Sequence, residues 1–354
     1  MLFRNGVEYE SLGVWAFFSH THTLPNVIPT MSRYVRTVGA LLLLVLTSLI
    51  PAHAQHLPDG ATDWYLETGD GTNLYVAEFG AAAAPGDTVV VLHGGWGAEH
   101  SYLWPAVEPL ADRYRFVLYD QRGSLRSPAP DSTVSLQRFV ADLEALRREL
   151  GQDRLTIFAH SMGSRLAYTY LKQHPEHVRR LALAGPLVPT GAPTVDESPL
   201  RKTRTQFVEW AKKRKAAEVA EEGLDRDSLS DRKKTARWRI GFASGNIYHI
   251  ERWRQMRGGR AFYTGDVAQL INQNTPDSLR ANQFDALQSS GVPVHVIVGD
   301  HDLVDFGLTT WPAVADALDN VAITTLKRAG HNAWIDRPGR FHDALRRALS
   351  TSGE

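Results

Sequence analysis

A serine stands where an apolar strand pattern gives way to a helix pattern, in the segment AHSMG at residues 159–163. A serine on such a sharp turn needs small residues two positions before and after it, and Ala159 and Gly163 meet this need. The helix behind the turn would direct its dipole and the free N–H of Met162 toward a developing oxyanion. This context predicts that Ser161 is a nucleophile for acyl transfer, the alternative being an ordinary serine in a generic turn.

A glycine-rich loop, HGGWG at residues 93–97, follows the buried-strand pattern of Thr88–Leu92. Its glycines would let backbone amides approach a ligand closely. A phosphate-cradling loop is disfavoured because no Lys-Ser or Lys-Thr pair follows and the glycine spacing fits neither nucleotide fingerprint. The loop is therefore predicted to supply an oxyanion hole with the N–H of Gly95, or of Trp96 one residue on, while His93 beneath it is structural.

Two polar residues that follow the last strand patterns could complete a catalytic triad. Asp302 stands three residues after the glycine that ends one strand and is favoured over Asp300 and Asp305. His331 follows the next strand; a surface-loop histidine and a helix-capping aspartate are the alternatives. The chain order Ser, Asp, His, with each residue just after a strand, predicts that His331 takes the proton of Ser161 and that Asp302 orients the imidazole.

Neither a metal site nor a cofactor site is predicted. The chain has no cysteine, which removes thiolate ligands, disulfides and a cysteine nucleophile. His174 and His177 have no third ligand at a recognisable spacing. The other close histidine pairs, at residues 20–22 and 53–56, lie in or beside a predicted leader segment.

Strand and helix patterns alternate from about residue 62 onwards. Short apolar or β-branched runs predict strands at residues 63–68, 73–79, 88–92, 115–119, 154–159, 180–184, 293–298 and 321–326. A helix is predicted between Ser135 as N-cap and Gly151 as stop, and the last helix places Phe341, Leu345 and Leu349 on one face. This alternation predicts an α/β fold with a mostly parallel sheet covered by helices on both faces.

The pattern changes between residues 189 and 289. This segment is dense in charge, helical in composition and rich in aromatic residues. It predicts a helical lid inserted into a catalytic core formed by residues 62–188 and 290–350. Glu209 and Glu251 each lie near a tryptophan in this segment, whereas the glutamates of residues 218–222 are predicted to form a solvated face.

The first 54 residues have the layout of a secretory signal preceded by an extra segment. From Met31, a short basic region is followed by an apolar run and the small-x-small site of residues 52–54. The apolar run is shorter than the ~20 residues of a membrane span. We expect residues 31–54 to be a signal peptide cleaved after Ala54, residues 1–30 to be an upstream over-read, and the mature protein to be periplasmic or secreted without a stable membrane anchor.

Charge and composition limit the partners. The chain has 39 Lys and Arg against 39 Asp and Glu, and 43% of its residues are hydrophobic. A nucleic-acid-binding protein would carry a strongly basic surface, so nucleic acid is not an expected partner. The hydrophobic content is typical of a globular protein with a sizeable core. The expected partner is a small-molecule or short-peptide substrate.

These motifs together resemble the α/β-hydrolase superfamily over residues 62–350 and, within it, the proline iminopeptidase-like serine hydrolases. The resemblance is carried by HGGWG at 93–97, DQRGSLRS at 120–127, AHSMG at 159–163, GDHD at 299–302 and GHNAWIDRP at 330–338. In the second of these segments, Arg122 and Gly123 are predicted to form a turn near the rim of the site after Asp120, the alternative being a structural turn held by an Asp–Arg pair. Iminopeptidases carry Pro in place of Trp96, Gly in place of Leu125 and a Gly-x-Ser-Trp-Gly elbow, so these departures concern the substrate and leave the chemistry intact.

The expected activity is that of a serine hydrolase that cleaves a small amide or ester through an acyl-enzyme on Ser161. The resemblance implies a proline iminopeptidase-like aminopeptidase, with Glu209, Glu251 and Trp96 as candidate substrate contacts. A carboxylesterase or lactonase on small acyl compounds is the alternative with the same machinery, and a non-catalytic binding protein of the same fold is the second alternative. A dehalogenase or epoxide hydrolase is disfavoured because it would need Asp at position 161.

Overall fold

The protein is described by a computed structural model for residues 57, 60–82, 84, 86–196, 198–260, 263–304 and 307–350, without the side chains of residues 199, 200 and 307. The expected signal peptide, its cleavage site and the upstream segment lie outside these residues, as does Asp305. No helix of the described part of the chain is long and apolar enough to cross a membrane.

Eight strands of the described chain form one sheet in the order β1-β2-β4-β3-β5-β6-β7-β8. They are β1 (Thr62–Glu67), β2 (Asn73–Phe79), β3 (Thr88–Leu92), β4 (Arg115–Tyr119), β5 (Leu155–His160), β6 (Val178–Ala184), β7 (Val294–Gly299) and β8 (Val321–Leu326). β1, β2 and β4 pair antiparallel at one edge, and all other neighbours pair parallel. Each strand lies within two residues of its predicted run, and the mostly parallel sheet confirms the predicted fold class.

Helices cover both faces of the sheet. They are α1 (Trp104–Val107), α2 (Leu136–Glu149), α3 (Gly163–Gln173), α4 (Ser198–Glu221), α5 (Asp231–Asn246), α6 (Val267–Asn274), α7 (Asp277–Arg280), α8 (Gln283–Ser290), α9 (Gly307–Ala317), α10 (Ala333–Asp336) and α11 (Pro338–Leu349). Val90 and Leu92 of β3 belong to the main core cluster with residues of α2, α3 and α9. Phe158 of β5 faces the other side, where its ring centroid lies 6.4 Å from that of Phe341 in α11.

Local sequence signals set the ends of the helices on the sheet. The Ser135 side chain accepts the N–H of Arg138 at 3.3 Å and caps α2, while Gly151 follows the helix with φ +62°. α3 begins at Gly163, directly behind the serine turn, with Met162 as its N-cap. All the apolar residues expected on the inner face of α11 are buried.

The segment between β6 and β7, which we call the insertion (residues 185–293), contains α4 to α8 and a 3₁₀ helix at Ile250–Gln255. β6 and β7 are hydrogen-bonded neighbours in the sheet despite this long connection. α4 has 24 residues that are mostly exposed, and it packs against α5. α5 buries the last part of its length, including Ile240 and Ala243, against the rest of the protein.

Candidate active site

Ser161 occupies a strained turn at the end of β5. Its φ of +52° lies in the left-handed region, which costs a residue other than glycine about 1–3 kcal/mol and persists only when neighbours hold it. Its N–H donates to the carbonyl of Ala184 at 3.1 Å, and its carbonyl accepts the N–H and hydroxyl of Ser164 at 2.9 and 2.7 Å. A Cβ on Gly163 would lie 2.4 Å from the carbonyl oxygen of Leu92, so the predicted need for a small residue there is met.

The glycine-rich loop lies directly against this serine. A Cβ on Gly94 would come within 2.6 Å of the Cβ of Ser161. Gly95 has a φ of +66°, which turns the backbone at that point. Among the hydrogen bonds of the described residues, none is donated by the N–H of Gly95, Trp96 or Met162. The loop and the start of α3 thus leave backbone donors available beside the nucleophile, as an oxyanion hole requires.

His331 and Asp302 form a buried pair at the ends of β8 and β7. His331 Nδ1 lies 3.0 and 2.9 Å from the two carboxylate oxygens of Asp302, and both side chains are less than one-tenth exposed. Donation from Nδ1 leaves Nε2 unprotonated in the neutral ring, which is the tautomer that a general base needs. Asp300, the competing aspartate, instead binds His301 Nδ1 at 2.7 Å.

Gly185, at the end of β6, makes room for that pair. With φ +48°, a Cβ on this residue would lie 2.8 Å from both Asp302 Oδ2 and His331 Nδ1. Only glycine fits such a close approach without displacing one of the two side chains. Sequence reasoning missed this residue, although a lone glycine that ends a buried strand was a signal for it.

The hydrogen bonds of the described residues include none on Ser161 Oγ. The serine and the histidine nevertheless share a neighbour, because the ring of His160 lies beside that of His331 with centroids 4.6 Å apart. Contacts between nucleophile and base are often long in an unliganded site and shorten when substrate binds. The geometry therefore supplies an oriented histidine and a serine that is 8% exposed on a strained turn, and no hydrogen bond of the described residues joins the two side chains.

Tyr102 and His160 link the glycine loop to the histidine loop. Tyr102 Oη accepts the N–H of Gly94 at 2.7 Å and donates to His160 Nδ1 at 2.8 Å. His160 Nε2 then donates to the carbonyl of His331 at 3.3 Å. Burial, and secondly the nearby charge of His331, lower the pKa of His160 well below its usual range. The ring thus stays neutral and bridges both loops, a role that its place in the sequence did not reveal.

The turn at residues 120–127 contains an Asp–Arg pair, which Asp120 forms with Arg126 at 3.4 Å and not with Arg122. Asp120 binds His100 Nδ1 at 2.6 Å and accepts the N–H of Arg126 at 3.1 Å. Burial raises the pKa of this carboxyl, but the hydrogen bond and charge of His100 outweigh burial and lower it to about 2. Arg122 makes its ion pairs with carboxylates outside this turn.

Two other carboxylates hold Arg122. Its guanidinium makes a two-pronged contact with Asp142 at 2.6 and 2.9 Å and a further contact with Asp70 at 2.8 Å. Such fork geometry is the strongest form of an arginine–carboxylate pair. Arg122 therefore joins the turn at residues 120–127 to α2 and to the β1–β2 hairpin, and it has a structural function.

The predicted substrate contacts receive little support from their surroundings. Glu209 is 59% exposed and pairs with Lys212 at 2.9 Å, and Glu251 is 66% exposed and lies 3.1 Å from His249 Nδ1. Trp96 is buried in the core, where its ring packs edge-on against that of Phe139. Glu218, expected on a solvated face, is 9% exposed and is the most deeply buried glutamate of α4.

Glu144 lies beside His174 and His177 as a third potential metal ligand, which the sequence spacing did not predict. Ligand atoms of the three residues lie within 4.8 Å of one another. The Glu144 carboxylate also accepts hydrogen bonds from Arg147, Arg148 and Tyr170. Burial raises the pKa of Glu144, but these donors, Arg147 first, bring it far below its usual range. The arginines balance the charge of this cluster, so nothing in its chemistry calls for a cation.

Several known proteins are similar to this chain in sequence. The chain matches the alpha/beta hydrolase fold family over residues 87–338, and it belongs to that family. A probable proline iminopeptidase of Streptomyces coelicolor is 40% identical over 139 residues, which are 36% of this chain and 40% of that protein. A proline iminopeptidase of Xylella fastidiosa is 41% identical over 104 residues, 28% of this chain and 32% of that protein. The resemblance to proline iminopeptidases is thereby confirmed, over less than half the length of these relatives.

Solved structures share the fold. An esterase from Exiguobacterium antarcticum superimposes with a TM-score of 0.57 at 20% identity, over 82% of this chain and 100% of that chain. Est816, described as an N-acyl homoserine lactone degrading enzyme, gives a TM-score of 0.54 at 20% identity, over 80% of this chain and 99% of that chain. At these identities the likeness concerns the fold alone.

Proposed function

We propose that the protein is a serine hydrolase in which Ser161 is the nucleophile, His331 the general base and Asp302 the residue that orients it. The observation that carries this proposal is the buried His331–Asp302 pair beside a serine held at φ +52° on a strand-to-helix turn. Structural serines rarely occupy a strained left-handed turn, because strain persists where function or surroundings require it. The family membership of the chain supports the same assignment.

The reaction would proceed in two halves. Nε2 of His331 takes the hydroxyl proton of Ser161 while Oγ forms a bond to the substrate carbonyl carbon, whose oxygen becomes negative. The N–H groups of Gly95 and Met162 stabilise that oxygen, and His331 returns the proton to the leaving amine or alcohol as its bond breaks. Water, deprotonated by His331, then attacks the acyl-enzyme and releases the acid and the free serine.

We propose a proline iminopeptidase-like aminopeptidase as the first candidate, with a short peptide or another small amide as substrate. The relatives named as proline iminopeptidases support it. Such an enzyme needs a carboxylate for the substrate ammonium group, and Glu209 and Glu251 remain the candidates from sequence. Their exposure and their existing ion pairs favour the second candidate, a carboxylesterase or lactonase that needs no such contact.

Labelling with a fluorophosphonate tests the catalytic assignment. The wild-type protein should be modified at Ser161, and Ser161→Ala should abolish labelling and lower turnover by ~10⁴-fold or more. Thermal unfolding of both proteins controls for folding, and fragmentation of the single tryptic peptide that carries Ser161 and Ser164 assigns the label to one of the two serines. A folded wild-type protein that takes no label would support the non-catalytic binding protein.

A substrate panel separates the two candidates. Prolyl arylamides and p-nitrophenyl esters should be compared by kcat/KM under the same conditions. An aminopeptidase should prefer the prolyl amide and lose that preference when the ammonium group is acetylated. Activity on esters alone, indifferent to Glu209→Gln and Glu251→Gln, would favour the carboxylesterase or lactonase.

We also propose export, with the mature protein starting after Ala54 in the periplasm or outside the cell. The support is the signal layout of residues 31–54. N-terminal sequencing of protein recovered from the exported fraction tests this proposal. A chain that retains residues before Met31 there would contradict both the cleavage site and the upstream over-read.

A further inference from the structure

A buried carboxylate joins the insertion to the loop that carries His331. Asp336, at the end of α10, is 1% exposed. Its Oδ2 accepts the N–H of Gly330 and the N–H of Tyr248, each at 2.8 Å, and its Oδ1 accepts the N–H of His249 at 2.9 Å. One carboxylate therefore binds the residue directly before His331 and two residues of the insertion.

The other side of His331 is also tied to the insertion. The N–H of Asn332 donates to the carbonyl of Asn246 at 2.9 Å. The backbone of Gly330 lies so close to this segment that a Cβ there would stand 2.8 Å from the Asn246 carbonyl oxygen. Both sequence neighbours of His331 thus make hydrogen bonds to the stretch at residues 246–249 directly or through Asp336.

Arg252 of the insertion adds further hydrogen bonds between the same two segments. Its guanidinium donates to the carbonyls of Ile335 and Asp336 at 2.8 and 2.9 Å. Hydrogen bonds in which one partner is charged are about twice as strong as neutral ones. Residues 246–252 of the insertion and residues 330–336 of the histidine loop consequently form one hydrogen-bonded unit, which we call the Asp336 clasp.

We propose that Asp336 is a positioning residue that couples the docked part of the insertion to the placement of His331. The proposal rests on the serine hydrolase function proposed above. The His331 ring is fixed at Nδ1 by Asp302, but its backbone is fixed through Gly330 and Asn332, and these depend on residues 246–249. When that segment leaves the clasp, the base loses its backbone support and its Nε2 no longer faces Ser161.

The position of Asp336 explains why a carboxylate is needed. An acceptor must serve three backbone donors that converge from two segments, and a carboxylate has lone pairs for all of them. Asparagine has nearly the same shape, but its NH₂ group would face an N–H donor and leave that donor buried without a partner. Asp336→Asn is therefore a conservative change in volume that removes the coupling.

The test measures fluorophosphonate labelling of Ser161 in the full-length protein as a function of probe concentration. Asp336→Asn should lower the maximal labelling rate constant at least tenfold while the half-saturating concentration changes less than threefold. Asp343→Asn, at an exposed carboxylate on α11 that pairs with Arg346, is the matched control and should label at the wild-type rate. A role in stability alone would lower the melting temperature and the fraction labelled without changing that rate constant.

Hydrogen exchange by mass spectrometry on the same proteins tests the coupling itself. In Asp336→Asn, peptides that cover residues 246–249 and 330–332 should lose protection together. Arg252→Gln removes two hydrogen bonds of the clasp without leaving a buried backbone N–H unpaired. It should lower the labelling rate constant two- to fivefold. This variant replaces Asp336→Asn as the test if Asp336→Asn does not fold. Labelling of either variant within twofold of the wild type overturns the clasp, whereas failure of the wild type to label overturns the proposed function instead.

Discussion

The ends of the central strands and the helix α4 hold their polar side chains in opposite ways. At the strand ends His331 meets both oxygens of Asp302 in a buried contact, and His160 has a partner on each ring nitrogen. On α4, Glu209 has one exposed partner in Lys212, and such surface pairs contribute only about 0–1 kcal/mol. The contrast teaches that the proposed catalytic side chains are held by buried partners at the ends of the strands, while the carboxylate proposed to contact a substrate lies on a surface with few constraints.

Separate substitutions of the two aspartates that follow β7, Asp302 and Asp300, should give the largest difference in activity. Asp302→Asn should lower kcat/KM by about 10³–10⁴-fold, because the amide no longer selects the tautomer of His331 that accepts a proton. Asp300→Asn should cost less than tenfold, since Asp300 contacts His301 and not the base. Steady-state kinetics of both variants on one ester substrate measure the difference. Equal losses in the two variants would mean that Asp302 is not the orienting residue.

A single methyl group at the end of β6 should have the next largest effect. Gly185→Ala places a Cβ 2.8 Å from Asp302 Oδ2 and from His331 Nδ1, and the residue has φ +48°. Displacement of catalytic groups by about 1 Å lowers rates by about 10²-fold, so kcat should fall by that order while KM changes little. The matched control is Gly191→Ala, where the nearest atoms are 3.8 Å away although φ is also positive. Wild-type kcat in Gly185→Ala would contradict the crowding at this position.

Acid should destabilise the strand-end region through His93. Its Nε2 accepts the N–H of Gln121 at 3.0 Å, and burial, opposed in part by Asp120, lowers its pKa from 6.5 to about 4. As the pH falls below 6.5 the unfolded chain takes up this proton first, so stability is complete above that pH and falls between 6.5 and 4. The slope for one such group is about 1.4 kcal/mol per pH unit.

Urea unfolding at several pH values checks this expectation. The free energy of unfolding should decline as the pH is lowered from 7 to 4.5, and His93→Gln should show a shallower decline because it cannot be protonated. His160, lowered in pKa by burial as well, contributes in the same direction and stays in both proteins. An identical slope in the variant and the wild type would exclude His93 as a source of the acid sensitivity.

Substitutions in the insertion should have the smallest effects and sharpen the contrast. Glu209→Gln and Glu251→Gln should each change kcat/KM for an ester substrate less than threefold, because both carboxylates are exposed and paired with neighbours. For a prolyl amide, a larger loss in either variant would identify the residue that contacts the ammonium group. Glu218→Gln is the informative companion, since this carboxylate is buried on the same helix.

The strands and the motif residues were predictable because their signals are local. An apolar run followed by a turn residue marks each strand end, and parallel neighbours bring those ends to one edge of the sheet. Ser161, Asp302 and His331 were therefore each predicted from what precedes them in the chain. The N–H groups of Gly95 and Met162 follow from the same local logic.

Contacts between distant segments account for what was missed or wrong. Tyr102 contacts His160, and Asp336 contacts Tyr248. The members of each pair lie so far apart in the sequence that no periodicity or motif spacing predicts the contact. Asp120 pairs with Arg126 of its own turn and with the distant His100, and Arg122 pairs with the distant Asp142, partners that the local sequence does not specify. Glu218 was placed in solvent from composition, which does not reveal which face of α4 packs on α5.

The adjacency of β6 and β7 in the sheet affects how the insertion between them can change during evolution. The two strands are parallel, so the insertion leaves the sheet after Ala184 and returns at Val294, which pairs with Leu181 of β6; a connection of any length needs only to bring the chain back to the other end of the neighbouring strand. The free-energy cost of closing a loop, which comes from lost chain entropy, rises by only about 0.6 kcal/mol for each doubling of the loop length. A helix pair between these strands can thus be lengthened, shortened or exchanged with almost no penalty to the sheet, and one catalytic edge can be offered to many different substrates.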